Sequence, residues 1–265
     1  MKALDRAREL DPEDWICSYF IGEVERQTGA YEDAIKAFES ILERHPLELG
    51  VLASLGQTYL DLGRAETTTA YTARAETSFL AAIQVTVRLI AASSGYRRVA
   101  WKKVADAVFH LSCFRQYADE DAVHGALGEL VSLVSDHPVT ALAGIITFPI
   151  TLDSVADTAL LAMQVALAAY DYRTSLDALD DAAKGSAYYD FGMALFAYAR
   201  KIVQTAMAEP ARQLGIRQIK EALRCEPSNE QYWNALGSAI FESQPRVAQH
   251  AYIRAIEINS KVRAD

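Results

Sequence analysis

The side chains able to move a proton or hold a metal near neutral pH are five histidines, His45, His110, His124, His137 and His250, and three cysteines, Cys17, Cys113 and Cys225. Zinc-dependent hydrolysis needs two histidines one helical turn apart beside a glutamate, and no such pair occurs. Phosphate chemistry of the P-loop kind needs a glycine-rich loop running into Lys-Ser or Lys-Thr. Acyl transfer from a nucleophile elbow needs Gly-X-Ser-X-Gly. Neither pattern is present. The cysteines are far apart, lack paired metal-ligand spacing and are odd in number, which argues against a disulfide framework and for a reducing, intracellular compartment. The aspartates of DALDDAAK (177–184) read as the solvated surface of a helix. The chain is therefore expected to be no enzyme and to need no cofactor or metal.

One cluster could bind rather than react. YRRVAWKK (96–103) gathers Arg97, Arg98, Lys102 and Lys103 around Trp101, and a helix would put Arg98 and Lys102 on one stripe. In the simpler reading Trp101 is core and the four cations form a solvated face; the alternative is a contact with an acidic partner or RNA. With 26 basic against 35 acidic residues the formal charge is −9, which disfavours wrapping a phosphate backbone and argues against nucleic acid as a direct ligand. The first fifteen residues contain no apolar signal core, and the longer apolar runs are broken by polar residues, so no membrane segment is expected. The expected location is the cytoplasm, with the nucleus as the alternative.

The elements that would position these residues are announced by glycine and proline. Pro12, Gly22 and Gly29 recur as Pro46, Gly56 and Gly63, each at an interval of 34 residues, which is the period of the tetratricopeptide repeat, a two-helix unit. In that register Gly22 and Gly56 sit where the paired helices cross most closely, Gly29 and Gly63 supply the interhelical turn, and each proline closes a second helix. The expected fold is all-α, a right-handed tetratricopeptide solenoid occupying 1–265 as one body. Regular repeats are expected near 1–63 and 185–260, and irregular, extended ones near 64–184.

Walking along the chain, residues 3–10 read as a second helix ended by Pro12. Helices follow over 14–28 and 31–45, then a first helix from LASLGQTYLDLG, then a long helix over 65–92. SSG (93–95) interrupts it, AWKKVADAVFHLS opens a new first helix, and its partner spans 122–135 before Pro138. TFPITLD reads as a loop, followed by helices over 153–170 and 172–184. Repeat character returns at AYYDFGMALF. Gly192 and Gly237 stand 45 residues apart, and the excess over one period is placed around ARKIVQTAMAEP as added helical turns. Ser228 and Gln231 read as a capping box for the last first helix, whose partner follows Gln244 and Pro245.

First helices line the concave face of such a stack. Register therefore nominates Tyr19, Glu23, Gln57, Leu60, Lys102, Asp106, Phe109, Tyr189, Met193, Phe196, Asn234 and Phe241 as partner-binding residues, a mixed aromatic and weakly polar groove suited to a peptide strand or amphipathic helix. Against this stands the reading that several of the aromatics pack between repeats. The set that clamps acidic chaperone tails in other tetratricopeptide proteins is not matched, since its places hold Tyr19, Glu23, Ser54 and Gln57.

Two blocks go beyond the generic repeat. AWKKVADAVFHLS, and IKEALRCEPSNEQYWNALGSAIFESQPRVAQHAYIRAIEIN at the end, resemble the large tetratricopeptide subunit of the superkiller complex, most of all its fungal members, with Ala105 standing where that family commonly has glycine. The resemblance implies a non-catalytic scaffold corresponding to an internal or C-terminal portion of that subunit. As partners it implies a DExH-box RNA helicase and WD40 beta-propeller subunits, in an assembly that feeds messenger RNA to the cytoplasmic exosome for 3′-to-5′ decay. An unrelated tetratricopeptide adaptor or assembly factor is the alternative. A transferase with tetratricopeptide arms would need a catalytic domain outside these residues.

Overall fold

The computed structural model describes residues 15–135, 141–152, 155–177 and 180–262, the side chains of 261 and 262 excepted. The helix expected over 3–10, Pro12 and Pro138 lie outside the described residues. Within them the chain forms eleven helices: α1 (Trp15–Gln27), α2 (Tyr31–Arg44), α3 (Leu49–Thr68), α4 (Thr72–Ala92), α5 (Arg97–Leu111), α6 (Glu120–Ser135), α7 (Thr158–Ser175), α8 (Asp181–Lys201), α9 (Ala208–Cys225), α10 (Glu230–Ile240) and α11 (Pro245–Val262). Two compact units result. The first comprises 1–130 and 155–162, the second 131–154 and 163–265. In the first, α1 to α5 pack in sequence while α1, α3 and α5 also touch, as a row of first helices must; α8 and α10 repeat this in the second, beside α9 and α11.

The helices begin and end where local chemistry directs. Asp119, Asp157, Asp180 and Asn229 each accept a hydrogen bond from a backbone N–H in the first turn of α6, α7, α8 and α10, at 2.9, 2.8, 2.6 and 3.1 Å. Asn229, not Ser228, is thus the cap of α10. Asp180 caps α8 instead of merely solvating it. Gly29, at φ +85°, makes the turn from α1 to α2. The five described prolines all lie between helices or in a first turn, where the missing N–H breaks no ladder.

Within the hairpins the recurring contact is an aromatic ring laid against a glycine of the paired helix. A methyl group added at Gly22 would stand 2.8 Å from Phe38, at Gly63 2.6 Å from Phe79, at Gly215 2.6 Å from Phe196 and at Gly237 2.9 Å from Tyr252. Gly63 is therefore not a turn residue. It lies inside α3, which runs on to Thr68, and the reversal falls at Ala70, whose φ is 62°. The single helix expected over 65–92 is accordingly broken there. Gly56 keeps its close-approach role, facing Thr86.

The other departures also trace to packing. Helix α7 runs unbroken over 158–175 where a break near 171 was expected, and α8 starts only at Asp181, so the helix expected over 172–184 does not form. Every residue from Leu161 to Arg173 is buried, the state of a helix apolar nearly all round. Its polar members are accommodated individually: Arg173, 5 % exposed, donates to Asp190 at 2.5 Å and to Ser186 at 3.2 Å. Residues 202–207 are turns instead of added helix. Helix α4 is long and apolar enough to cross a membrane by length and composition, but 61 % of its apolar window is buried inside the protein. Also on α4, Glu76 is 2 % exposed and accepts the backbone N–H groups of Ala118 and Asp119 at 2.7 and 2.8 Å, tying the segment before α6 to the core.

Two substitutions test the ring-on-glycine contact. Phe79 is fully buried and held between His110, stacked at 5.1 Å, and Phe114, so it cannot yield to a new methyl. Gly63→Ala should destabilise by about 1–3 kcal/mol despite the better helix former. Gly125→Ala in α6, with nothing within 4 Å of the new methyl, should stabilise by roughly 0.5–1 kcal/mol. Urea unfolding of both variants measures the contrast. Glu76→Ala should cost about 1–3 kcal/mol and accelerate hydrogen exchange at the Ala118 and Asp119 amides, whereas Glu76→Gln, which keeps one acceptor, should lose less.

Candidate functional site

The first-helix row of the first unit carries a groove of about 530 Å³, lined from α1 by Tyr19, Phe20, Glu23, Arg26 and Gln27, from α3 and its start by Gly50, Ala53, Ser54 and Gln57, and from the α5 side by Tyr96 and Lys103. The α1 and α3 residues recur at helical spacing because a groove wall is one stripe of each helix. Of the sequence-nominated residues, Tyr19, Glu23 and Gln57 meet here. Leu60 does not: it is 1 % exposed and belongs to the core.

Polar groups along this row form an alternating chain of charges. Glu23 accepts from Arg26 at 3.0 Å; Arg26 reaches across to Asp61 at 3.1 Å; Asp61 also accepts from Gln57 at 2.9 Å and faces Arg64 at 3.5 Å. Arg64 then donates to Asp106 on α5 at 3.0 Å, and Lys102 stands 3.4 Å from the same carboxylate. The Arg64 Nε–H donates at 3.0 Å to His110 Nε2. That ring therefore accepts on Nε2, which places its one proton on Nδ1. Burial, with the Arg64 charge second, pushes the His110 imidazole down to about 4 and keeps it neutral. Glu23, Gln57, Lys102 and Asp106, nominated as partner contacts, are thus joined in the links between α1, α3 and α5.

The basic segment divides. Trp101 is core at 1 % exposure, as the simpler reading held, but the four cations are not one solvated face. Lys103 is buried to 9 % exposure, and its Nζ donates to the Ala53 carbonyl at 2.5 Å across the helix gap. Burial, reinforced by the Arg26 charge, brings its ammonium down to about 8.

In the second unit the nominated residues part company. Tyr189 stacks on Tyr232 at 4.9 Å, and Phe196 covers Gly215, so both serve packing. Met193 and Phe241 are 39 % and 59 % exposed. Asn234 borders an open depression of about 470 Å³ with Ala255, Ile256, Asn259 and Ser260. Phe109, half-buried, stands edge-on to His110. Residues of the groove that register did not nominate include Phe20, Arg26, Ser54, Tyr96 and Lys103. Arg26 and Ser54 were accessible in principle, since they fall on the stripes of Tyr19 and Gln57. Among the described residues no group of three or more His, Cys, Asp or Glu side chains could hold a metal ion, and Cys17, Cys113 and Cys225 form no disulfide.

Comparison with known proteins gives three results. A family model described as tetratricopeptide repeat matches residues 2–48. Superkiller protein 3 of the fission yeast Schizosaccharomyces pombe is 28 % identical over 262 residues, an alignment covering 94 % of this chain; the chain spans 18 % of that protein's length. Among solved structures, "MamA RS-1 ArsTM double mutant" superposes with a TM-score of 0.51 at 12 % identity, covering 96 % of this chain and 98 % of that one. "MamA 41-end from Desulfovibrio magneticus RS-1" gives 0.50 at 12 % identity, with 94 % and 97 % covered. At such identity these two structures speak to fold alone. Together with the helix order, they make this an all-α fold of the tetratricopeptide-repeat type, an architecture that serves protein–protein interaction.

Proposed function

We propose that the chain is a non-catalytic interaction scaffold of the superkiller type, holding a DExH-box RNA helicase and WD40 propeller proteins in the cytoplasm for exosome-linked messenger RNA decay. The observation that carries this reading is the extent of the likeness to Superkiller protein 3. The repeat model matches only 2–48, whereas that alignment runs over 262 residues and so through the stretch 64–184, where the regular repeat spacing is not kept. A rigid row of first helices, tied together by the Glu23-to-Asp106 charge chain, suits a scaffold because it presents a groove whose shape does not depend on a ligand. An unrelated adaptor is the alternative, and partner identity separates the two.

Affinity capture with the tagged chain from fungal extract should recover a DExH-box helicase and a propeller protein together; recovery of neither overturns the superkiller reading. Tyr19→Ala combined with Phe20→Ala removes the two aromatic rings of the groove wall contributed by α1. That pair should weaken capture of the partner seated there about tenfold or more while leaving the unfolding midpoint within a few degrees.

A further inference from the structure

We propose that the groove over α1, α3 and α5 holds an extended segment of a partner protein by seating an internal Asp or Glu side chain of that segment on Lys103; this rests on the scaffold reading above. Lys103 lines the groove at 9 % exposure. Its ammonium carries three N–H groups, makes one hydrogen bond, to the Ala53 carbonyl, and forms no ion pair among the described residues. The carboxylates nearest in charge, Glu23 and Asp61, are held by Arg26, Gln57 and Arg64. A cation stripped of water without a counter-charge is a standing cost, and folding has already incurred it. An arriving carboxylate supplies the missing charge through a charge-assisted hydrogen bond, with no further desolvation of the lysine.

The surroundings narrow the ligand. Tyr19, Phe20 and Tyr96 flank the site and offer rings to apolar neighbours of the acidic residue, Phe20 being 51 % exposed. A chain terminus brings its charge on the backbone and calls for a second cation, but the other cation lining the groove, Arg26, is engaged by Glu23 and Asp61. A nucleic-acid strand would bring successive phosphates against Glu23 and Asp61, whereas one carboxylate passes between them. The charged groups facing Lys103 are Glu23 and Arg26 from α1 and Asp61 from α3, and the titratable groups of the groove are Tyr19 across from it and Tyr96 on its own side. Binding an anion holds the proton on Lys103. Affinity should therefore fall as pH rises through about 8, where the free ammonium begins to lose its proton.

The test is selection of short linear peptides from a displayed random library on the full chain. The selected peptides should share an internal Asp or Glu beside aromatic or large apolar residues. Changing that acid to its amide, and Lys103→Met in the protein, should each weaken binding at least about tenfold, and the two together should be no worse than either alone. Lys103→Met should fold at least as stably as the parent, since it removes an unpaired buried charge. Lys36→Met, on the outer face of α2, should bind as the parent does. Should Lys103→Met fail to fold, the acid-to-amide peptide measured on the unaltered protein still decides. Selection of no peptide, selected peptides without an acid, indifference to Lys103→Met in a folded variant, or equal competition by single-stranded oligouridylate would each overturn the inference. If acid-free peptides bind and the Tyr19→Ala, Phe20→Ala pair abolishes their binding, the scaffold reading stands while this inference falls.

Discussion

The structure depends on aromatic rings packed where a glycine leaves no side chain. Phe38 on Gly22, Phe79 on Gly63, Phe196 on Gly215 and Tyr252 on Gly237 bring the two helices of four hairpins to a separation that any Cβ would prevent. Each contact joins an aromatic ring, fully buried at Phe38 and Phe79 and partly at Phe196 and Tyr252, to a close backbone approach, so it fixes the crossing point of its helix pair and not merely its affinity. Phe38 and Phe79 follow their glycines by the same interval, which makes the two hairpins versions of one joint.

That constraint explains the irregular second hairpin. In the longer α3–α4 hairpin the aromatic contact lies two turns beyond Gly56, at Gly63, while Gly56 faces Thr86. The longer hairpin carries both a slid joint and an extra surface, and α5 packs on it with Trp101 and Val104 fully buried. With the hairpins fixed, the polar stripe of each first helix falls opposite the next. The alternating charges from Glu23 to Asp106 are a consequence of that alignment, and they hold side chains that a loose groove would leave free. Such pairs, between a tenth and two-fifths exposed, contribute little net stability one by one; their effect is to orient.

Burial also separates residues that look alike in sequence. Lys102 and Lys103 are neighbours in one basic segment, yet a helix turns them 100° apart. Lys102, part-exposed, reaches the buried Asp106, and Lys103 enters the groove beside the Ala53 carbonyl. Tyr19 and Tyr189 occupy equivalent register positions, yet one lines a groove and the other stacks on Tyr232. The chemical character of each follows from which neighbouring helix lies opposite it.

Local signals in the chain determined a good deal: that its regular elements are helices, that Gly22, Gly56, Gly192 and Gly237 mark close approaches, that Gly29 turns, and that Trp101 is core. These are properties of short segments, because glycine spacing, proline position and apolar periodicity act within one or two helical turns. The tertiary structure alone decided that Gly63 is a packing residue, that α7 runs unbroken through Asp171, that Leu60 faces inward, and that Lys103 is buried. Each of these depends on what a helix distant in sequence places opposite: the Phe79 ring, the apolar surroundings of α7, or the Ala53 carbonyl. A repeat period specifies where a side chain leaves its own helix. Only the packed neighbour specifies whether it meets a ring, a charge or solvent.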